Sequence, residues 1–217
     1  MEIRSMYHKK LREIQDEVLV MGGMVSEAIL RSIEALKNRD MDLAEQIVTG
    51  DQKINDLRFE IEEKCIQLIV TQQPIANELR IIIAVLNIIT EVERIGDYAE
   101  GIAKITIMIG DEPPVKPLID IPLMAEQAVD MLRRSLDAFI NKDADAARKI
   151  CIEDDIVDHL YDQIYLELLD LMMENPQIVS RATRLIWVAH DLERSADRVT
   201  NICERVIFVI TGKMEEI

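Results

Sequence analysis

This chain has no long apolar run, few aromatics, few histidines or cysteines and a shortage of positive charge, and each lack removes a class of function. The longest apolar run, residues 81–86, stops at Asn87 and lies between Arg80 and Glu91. That is far short of the roughly 18–20 apolar residues a membrane-crossing helix needs. Met1-Glu2-Ile3-Arg4 carries no apolar signal-peptide core, so a cytoplasmic location is expected. With 25 Lys and Arg against 41 Asp and Glu, the net charge is −16. Phosphate neutralisation needs clustered cations, and one Trp, four Tyr and three Phe offer little for base stacking. Nucleic acid is therefore not an expected partner. The same charge opposes direct docking on an anionic bilayer, so any membrane association should run through a protein.

Cys65, Cys151 and Cys203 are odd in number, widely spaced and set among apolar residues. That pattern suits buried reduced thiols better than a disulfide framework or a zinc site. None of His8, His159 and His190 has a Glu three residues before it, which removes the Glu-x-x-His arrangement of ferritin-like di-iron bundles. The three read as surface or cap residues. No Gly-rich phosphate loop, Ser/His/Asp set or thiol beside a histidine is present, so the chain reads as non-enzymatic.

What the chain does have is a duplication. The stretch 32–44 matches 135–147 at an offset of 103 and is identical at six of thirteen positions. Glu91-Val92-Glu93-Arg94-Ile95-Gly96-Asp97 matches Asp191-Leu192-Glu193-Arg194-Ser195-Ala196-Asp197 at an offset of 100. The difference of three falls in a loop that holds Pro74 or Pro176, where insertions are tolerated. A repeat this long means two copies of one supersecondary unit rather than a solenoid. At 217 residues and 49% apolar content the chain can bury a real core.

Apolar residues recur every three or four positions from Leu11 through Leu36, which predicts an amphipathic helix over 7–37, weakened locally by Gly22 and Gly23. Asp40 is placed to cap a second helix over 41–72, and Gln73-Pro74 ends it because the residue before proline avoids helical angles. A third helix spans 77–109. Residues 110–117, with three prolines, read as a linker. The second half repeats the order over 122–141, 143–174 and 177–211. The expected fold is all-α, two tandem three-helix bundles of antiparallel helices, covering residues 1–109 and 118–217.

Glu93 and Asp97 stand one helical turn apart, as do Glu193 and Asp197, so each pair lies on one face. The adjoining helices supply Asp154 with Asp158 and, at the matched place, Asp51 with Asn55. Acidic pairs on antiparallel neighbours can converge as oxygen ligands for hard cations. Asn55, an amide where the other copy has Asp158, makes the first cluster less charged and the weaker expected metal site. The plainer alternative is a solvated helix edge on which Arg94 and Arg194 make local ion pairs.

In Thr71-Gln72-Gln73-Pro74-Ile75-Ala76-Asn77-Glu78-Leu79-Arg80, in Glu93-Arg94-Ile95-Gly96-Asp97-Tyr98-Ala99 and in residues 192–202, the chain resembles the PhoU family of phosphate-signalling regulators over nearly its whole length. The resemblance implies two three-helix bundles with metal ions on acidic motifs. Carried onto this sequence, these are Asp51 with Asn55, Glu93 with Asp97, Asp154 with Asp158, and Glu193 with Asp197. The metal could be iron, zinc, manganese or magnesium. Asn55, Ser195, Ala196 and Arg198 depart from the family's usual residues, while the carboxylates of the second set are intact. The implied role is negative control of the phosphate-starvation response and restraint of uptake, linking the ATPase subunit of a phosphate ABC transporter to a membrane sensor histidine kinase, as a homodimer. Alternatives from other classes are a carboxylate-bridged metal enzyme or metal store, and a regulatory module of another ion transporter.

Overall fold

The structure is a computed structural model that describes residues 2–213, with side chains described from residue 6 onward. Six helices carry it: α1 (Glu2–Asn38), α2 (Met41–Gln72), α3 (Asn77–Ile109), α4 (Asp120–Asn141), α5 (Ala144–Glu174) and α6 (Val179–Thr211). There is no strand among the described residues, so the expected all-α class holds. α1 starts before the expected residue 7 and runs through Gly22 and Gly23 without a break. α4 starts at Asp120 and takes Pro122 into its first turn, where a missing N–H costs nothing. α6 starts late because Pro176–Ile178 forms a 3-10 turn, with Gln177 N donating to the Asn175 side chain at 3.1 Å.

The duplication extends to the caps. Asp40 accepts from Leu43 N and Asp143 accepts from Ala146 N, both at 2.9 Å, which satisfies an orphan donor at the start of α2 and of α5. The residues before them, Arg39 and Lys142, share a left-handed φ of 55°. Asp143 is thus a cap rather than the first helical residue. Gln73 closes α2 in the left-handed region, at φ 46°.

α1, α2 and α3 pack on one another, and so do α4, α5 and α6; α1 against α4 and α3 against α6 join the halves. One continuous apolar core runs from Tyr7 to Ile207 through both. The segment between α3 and α4 is pinned rather than loose. Arg181 donates to Pro113 O at 2.7 Å and pairs with Glu112 at 3.1 Å, Arg184 donates to Met108 O at 2.7 Å, and Arg39 donates to Asp111 O at 3.0 Å. Lys116 is buried against Asp120 and Glu167, and Val115 and Leu118 pack on the core. Cys65, Cys151 and Cys203 are buried free thiols.

α3 and α6 run antiparallel about an internal two-fold relation. Glu91 Oε2 accepts from Asn201 Nδ2 at 3.3 Å and from Arg198 Nη1 at 3.4 Å. At the matched positions Asp191 meets Gly101, where a Cβ would lie 3.0 Å from Asp191 Oδ2. The contact between α3 and α6 therefore repeats itself at the 100-residue offset: Glu91 meets Asn201 as its duplicate Asp191 meets Gly101, the residue matched to Asn201.

Candidate functional site

The acidic pairs occupy the seams between neighbouring helices. Asp51 and Asn55 lie on α2, Glu93 and Asp97 on α3, Asp154 and Asp158 on α5, and Glu193 and Asp197 on α6. Each pair flanks buried residues: Ile54 on α2, Val92 and Ile95 on α3, Val157 on α5, Leu192 and Ala196 on α6. Six of the eight are half-buried, while Asp97 and Asp158 are exposed, so the carboxylates lose part of their hydration while keeping a route to solvent. The eight residues form two clusters of four, one in each half.

In the second cluster the carboxylates repel one another. Burial first, and then the charges of Asp158, Asp197 and Glu193, push Asp154 up to about 7. Burial and the Asp197 charge likewise raise Asp158 and Glu193. Asp154 Oδ1 and Glu193 Oε2 are buried without a hydrogen-bond partner, an arrangement that costs free energy unless something compensates it. Asp197 is bonded by Arg194 of the same helix. Tyr161, one turn past Asp158, is raised by burial and then by the nearby Glu193 charge.

The first cluster carries its own compensation. Asn55 Nδ2 donates to Asp51 Oδ2 at 2.8 Å, and Arg58 Nε approaches Glu93 Oε1 at 3.5 Å. Burial followed by Asp97 raises Asp51 and Glu93, with Arg58 and Arg94 pulling Glu93 back. Glu100, held by Lys104 at 2.6 Å, adds a further acid beside Asp97. A Cβ on Gly96 would sit 3.5 Å from Asp51 Oδ1, so the α3 backbone forms one wall of this cluster. Arg58, Glu100 and Tyr161 were not legible as site residues. Continuing the 103-residue offset one turn past Asn55 would have found Arg58 opposite Tyr161.

As the side chains stand, no three His, Cys, Asp or Glu among the described residues are arranged to hold a metal ion. The second cluster nevertheless fits a cation in its chemistry: four oxygen donors, two of them with buried unpartnered atoms, suit hard di- or trivalent ions. The first fits less well, because Asn55 and Arg58 already satisfy part of it. Local ion pairs of the plainer kind also occur: Arg94 pairs with Glu91 at 3.3 Å and Arg194 with Asp197.

The sequence matches the family model described as PhoU domain over residues 18–106 and again over 121–206. It is 39% identical over 215 residues to the phosphate-specific transport system accessory protein PhoU homolog of Clostridium acetobutylicum, covering 99% of this chain and 98% of that one. It is 32% identical to the protein of that system from Escherichia coli, covering 97% and 88%. The fold is similar to the crystal structure of PhoU from Pseudomonas aeruginosa, with a TM-score of 0.90 at 33% identity over 95% of this chain and 100% of that one. It is also similar to the phosphate transport system regulatory protein PhoU from Streptococcus pneumoniae, with a TM-score of 0.91 at 28% identity over 97% and 100%.

Proposed function

The chain belongs to the PhoU family, and on that premise we propose that it is a non-enzymatic regulator of phosphate uptake and of the phosphate-starvation response. In this reading it restrains the phosphate regulon when phosphate is plentiful, by coupling the ATPase subunit of a phosphate ABC transporter to a sensor histidine kinase. It works in the cytoplasm as a homodimer and reaches the membrane only through these partners. The observation that carries the reading is the end-to-end likeness, across both halves, to proteins named as accessory to the phosphate-specific transport system. The absence of a legible nucleophile and base in the sequence agrees with a binding role.

The reading includes metal at the acidic seams. Asp154, Asp158, Glu193 and Asp197 would hold a cation such as iron, manganese, magnesium or zinc, and Asp51, Asn55, Glu93 and Asp97 a more weakly held one. A bound cation would neutralise the carboxylates that now repel one another and tie α5 to α6. Asp197 would exchange the Arg194 guanidinium for the ion.

Complementation tests the regulatory reading. In a strain lacking its own family member, this chain should restore repression of phosphate-scavenging genes in phosphate-rich medium and should retain the transporter's ATPase subunit in a pull-down. Continued derepression with the chain well expressed would overturn it.

A further inference from the structure

The two halves treat one matched arginine differently. In the second half Arg134 of α4 is clamped to Glu153 of α5 by two charge-assisted bonds, Nη1 to Oε2 at 2.6 Å and Nη2 to Oε1 at 2.7 Å, with Asp130 at 3.0 Å. Its counterpart at the 103-residue offset is Arg31 of α1. Ser32 and Ser135, the next residues, confirm the register, since they bond Ile29 O at 2.7 Å and Leu132 O at 2.8 Å. The residue in the place of Glu153 is Gly50, and nothing lies within 4 Å of where its Cβ would be. Arg31 keeps Gln46 at 3.2 Å and Glu27 at 3.6 Å, but the two-pronged carboxylate is missing. In its stead a groove of about 490 Å³ opens between α1, α2 and α3, with Arg31, Gly50 and Lys53 among its lining residues.

We propose that this groove is a binding site for a small organic monocarboxylate, whose carboxylate takes on Arg31 the place that Glu153 takes on Arg134. The planar guanidinium fork matches a carboxylate in a bidentate contact, and the volume is within the range of small-molecule sites. Glu27, Asp51 and Glu100 line the same groove and set themselves against a polyanion, so a single negative charge, held on Arg31, is the class that fits. The groove borders the first acidic cluster, sharing Asp51 and Glu100 with it, but the proposed contact is on Arg31 and stands independently of the regulatory reading.

Propionate, which is the glutamate side chain detached from its backbone, is the probe. Titrated into the full chain at constant ionic strength, it should give saturable amide chemical-shift changes at Thr49 and Gly50 with a midpoint in the millimolar range. Arg31→Ala should abolish them. Gly50→Glu should abolish them too, by supplying its own carboxylate, and should raise Tm above that of Gly50→Ala, which leaves the groove open and keeps the shifts. The Gly50 pair settles the matter even if Arg31→Ala fails to fold. No saturable shift in the unaltered chain, shifts that survive Gly50→Glu, or equal shifts with inorganic phosphate would each overturn the assignment.

Discussion

Asn55 Nδ2 donates to Asp51 Oδ2 at 2.8 Å, and the residue in the matching place of the second half is Asp158, which instead raises Asp154 by its charge. One amide against one carboxylate, one turn along a duplicated helix, thus separates a cluster that is internally compensated from one that is not. Arg58 beside Glu93, against Tyr161 near Glu193, widens the difference in the same direction.

Metal should therefore favour the second half. Untagged protein dialysed after incubation with manganese or iron is expected to retain close to one equivalent of ion, by elemental analysis. A variant carrying Asp154→Asn and Glu193→Gln should lose it while keeping its helical circular dichroism. Retention of the same amount by the variant would place the ion elsewhere.

Converting the first cluster tests the cause of the asymmetry. Asn55→Asp with Arg58→Tyr gives the first half the residue types of the second, and should raise the affinity of that half for manganese by at least about tenfold, worth roughly 1.4 kcal/mol. The same pair of changes should lower Tm in chelator, because Asp51 loses its amide donor and Glu93 its arginine. An affinity that does not move would assign the difference to backbone spacing instead.

Acid should stabilise the metal-free protein. Asp154 rises from an ordinary 3.8 to about 7 in the fold, so between these values the native state holds a proton that the unfolded chain has released, and stability falls as pH rises. Asp158 and Glu193 are raised as well and act with the same sign. Because Asp154 is only partly buried, screening reduces its share to the order of 1–2 kcal/mol. Urea unfolding in chelator should give a higher midpoint at pH 5 than at pH 8, and Asp154→Asn should flatten the slope. A midpoint that rises with pH would contradict the crowding of carboxylates.

The parts of this molecule legible in the sequence are those set by local spacing. Asp40 was legible as a cap because its oxygen needs only the third residue onward, and it bonds Leu43 N as the spacing demands. The acidic pairs were legible because a helical turn brings residues four apart together and the duplication repeats them. Arg58 and Glu100 were hidden for the converse reason: their counterparts are Tyr161 and Thr200, so a search for repeated acids passes over both. The antiparallel contact of α3 with α6 was not legible at all. It joins Glu91 to Asn201 across more than a hundred residues, and no spacing within one helix encodes it.

Gly22 and Gly23 show how packing separates neighbours that look equivalent in sequence. Both sit inside α1, where glycine costs about 0.5–1 kcal/mol relative to alanine. A Cβ on Gly23 would meet nothing within 4 Å, so Gly23→Ala should stabilise the protein by about that amount. A Cβ on Gly22 would lie 2.2 Å from Leu136 Cδ1, where α1 crosses α4 and Leu136 is buried. Gly22→Ala should therefore destabilise by roughly 1–3 kcal/mol, the usual cost of overpacking. Leu136→Ala alone should cost about 2–5 kcal/mol, yet combined with Gly22→Ala it should cost less than the sum of the two, with a coupling of about 1–2 kcal/mol. Denaturant midpoints for the four proteins of this cycle, with Gly23→Ala alongside, decide it. Simple additivity would mean that α1 and α4 do not touch at this crossing.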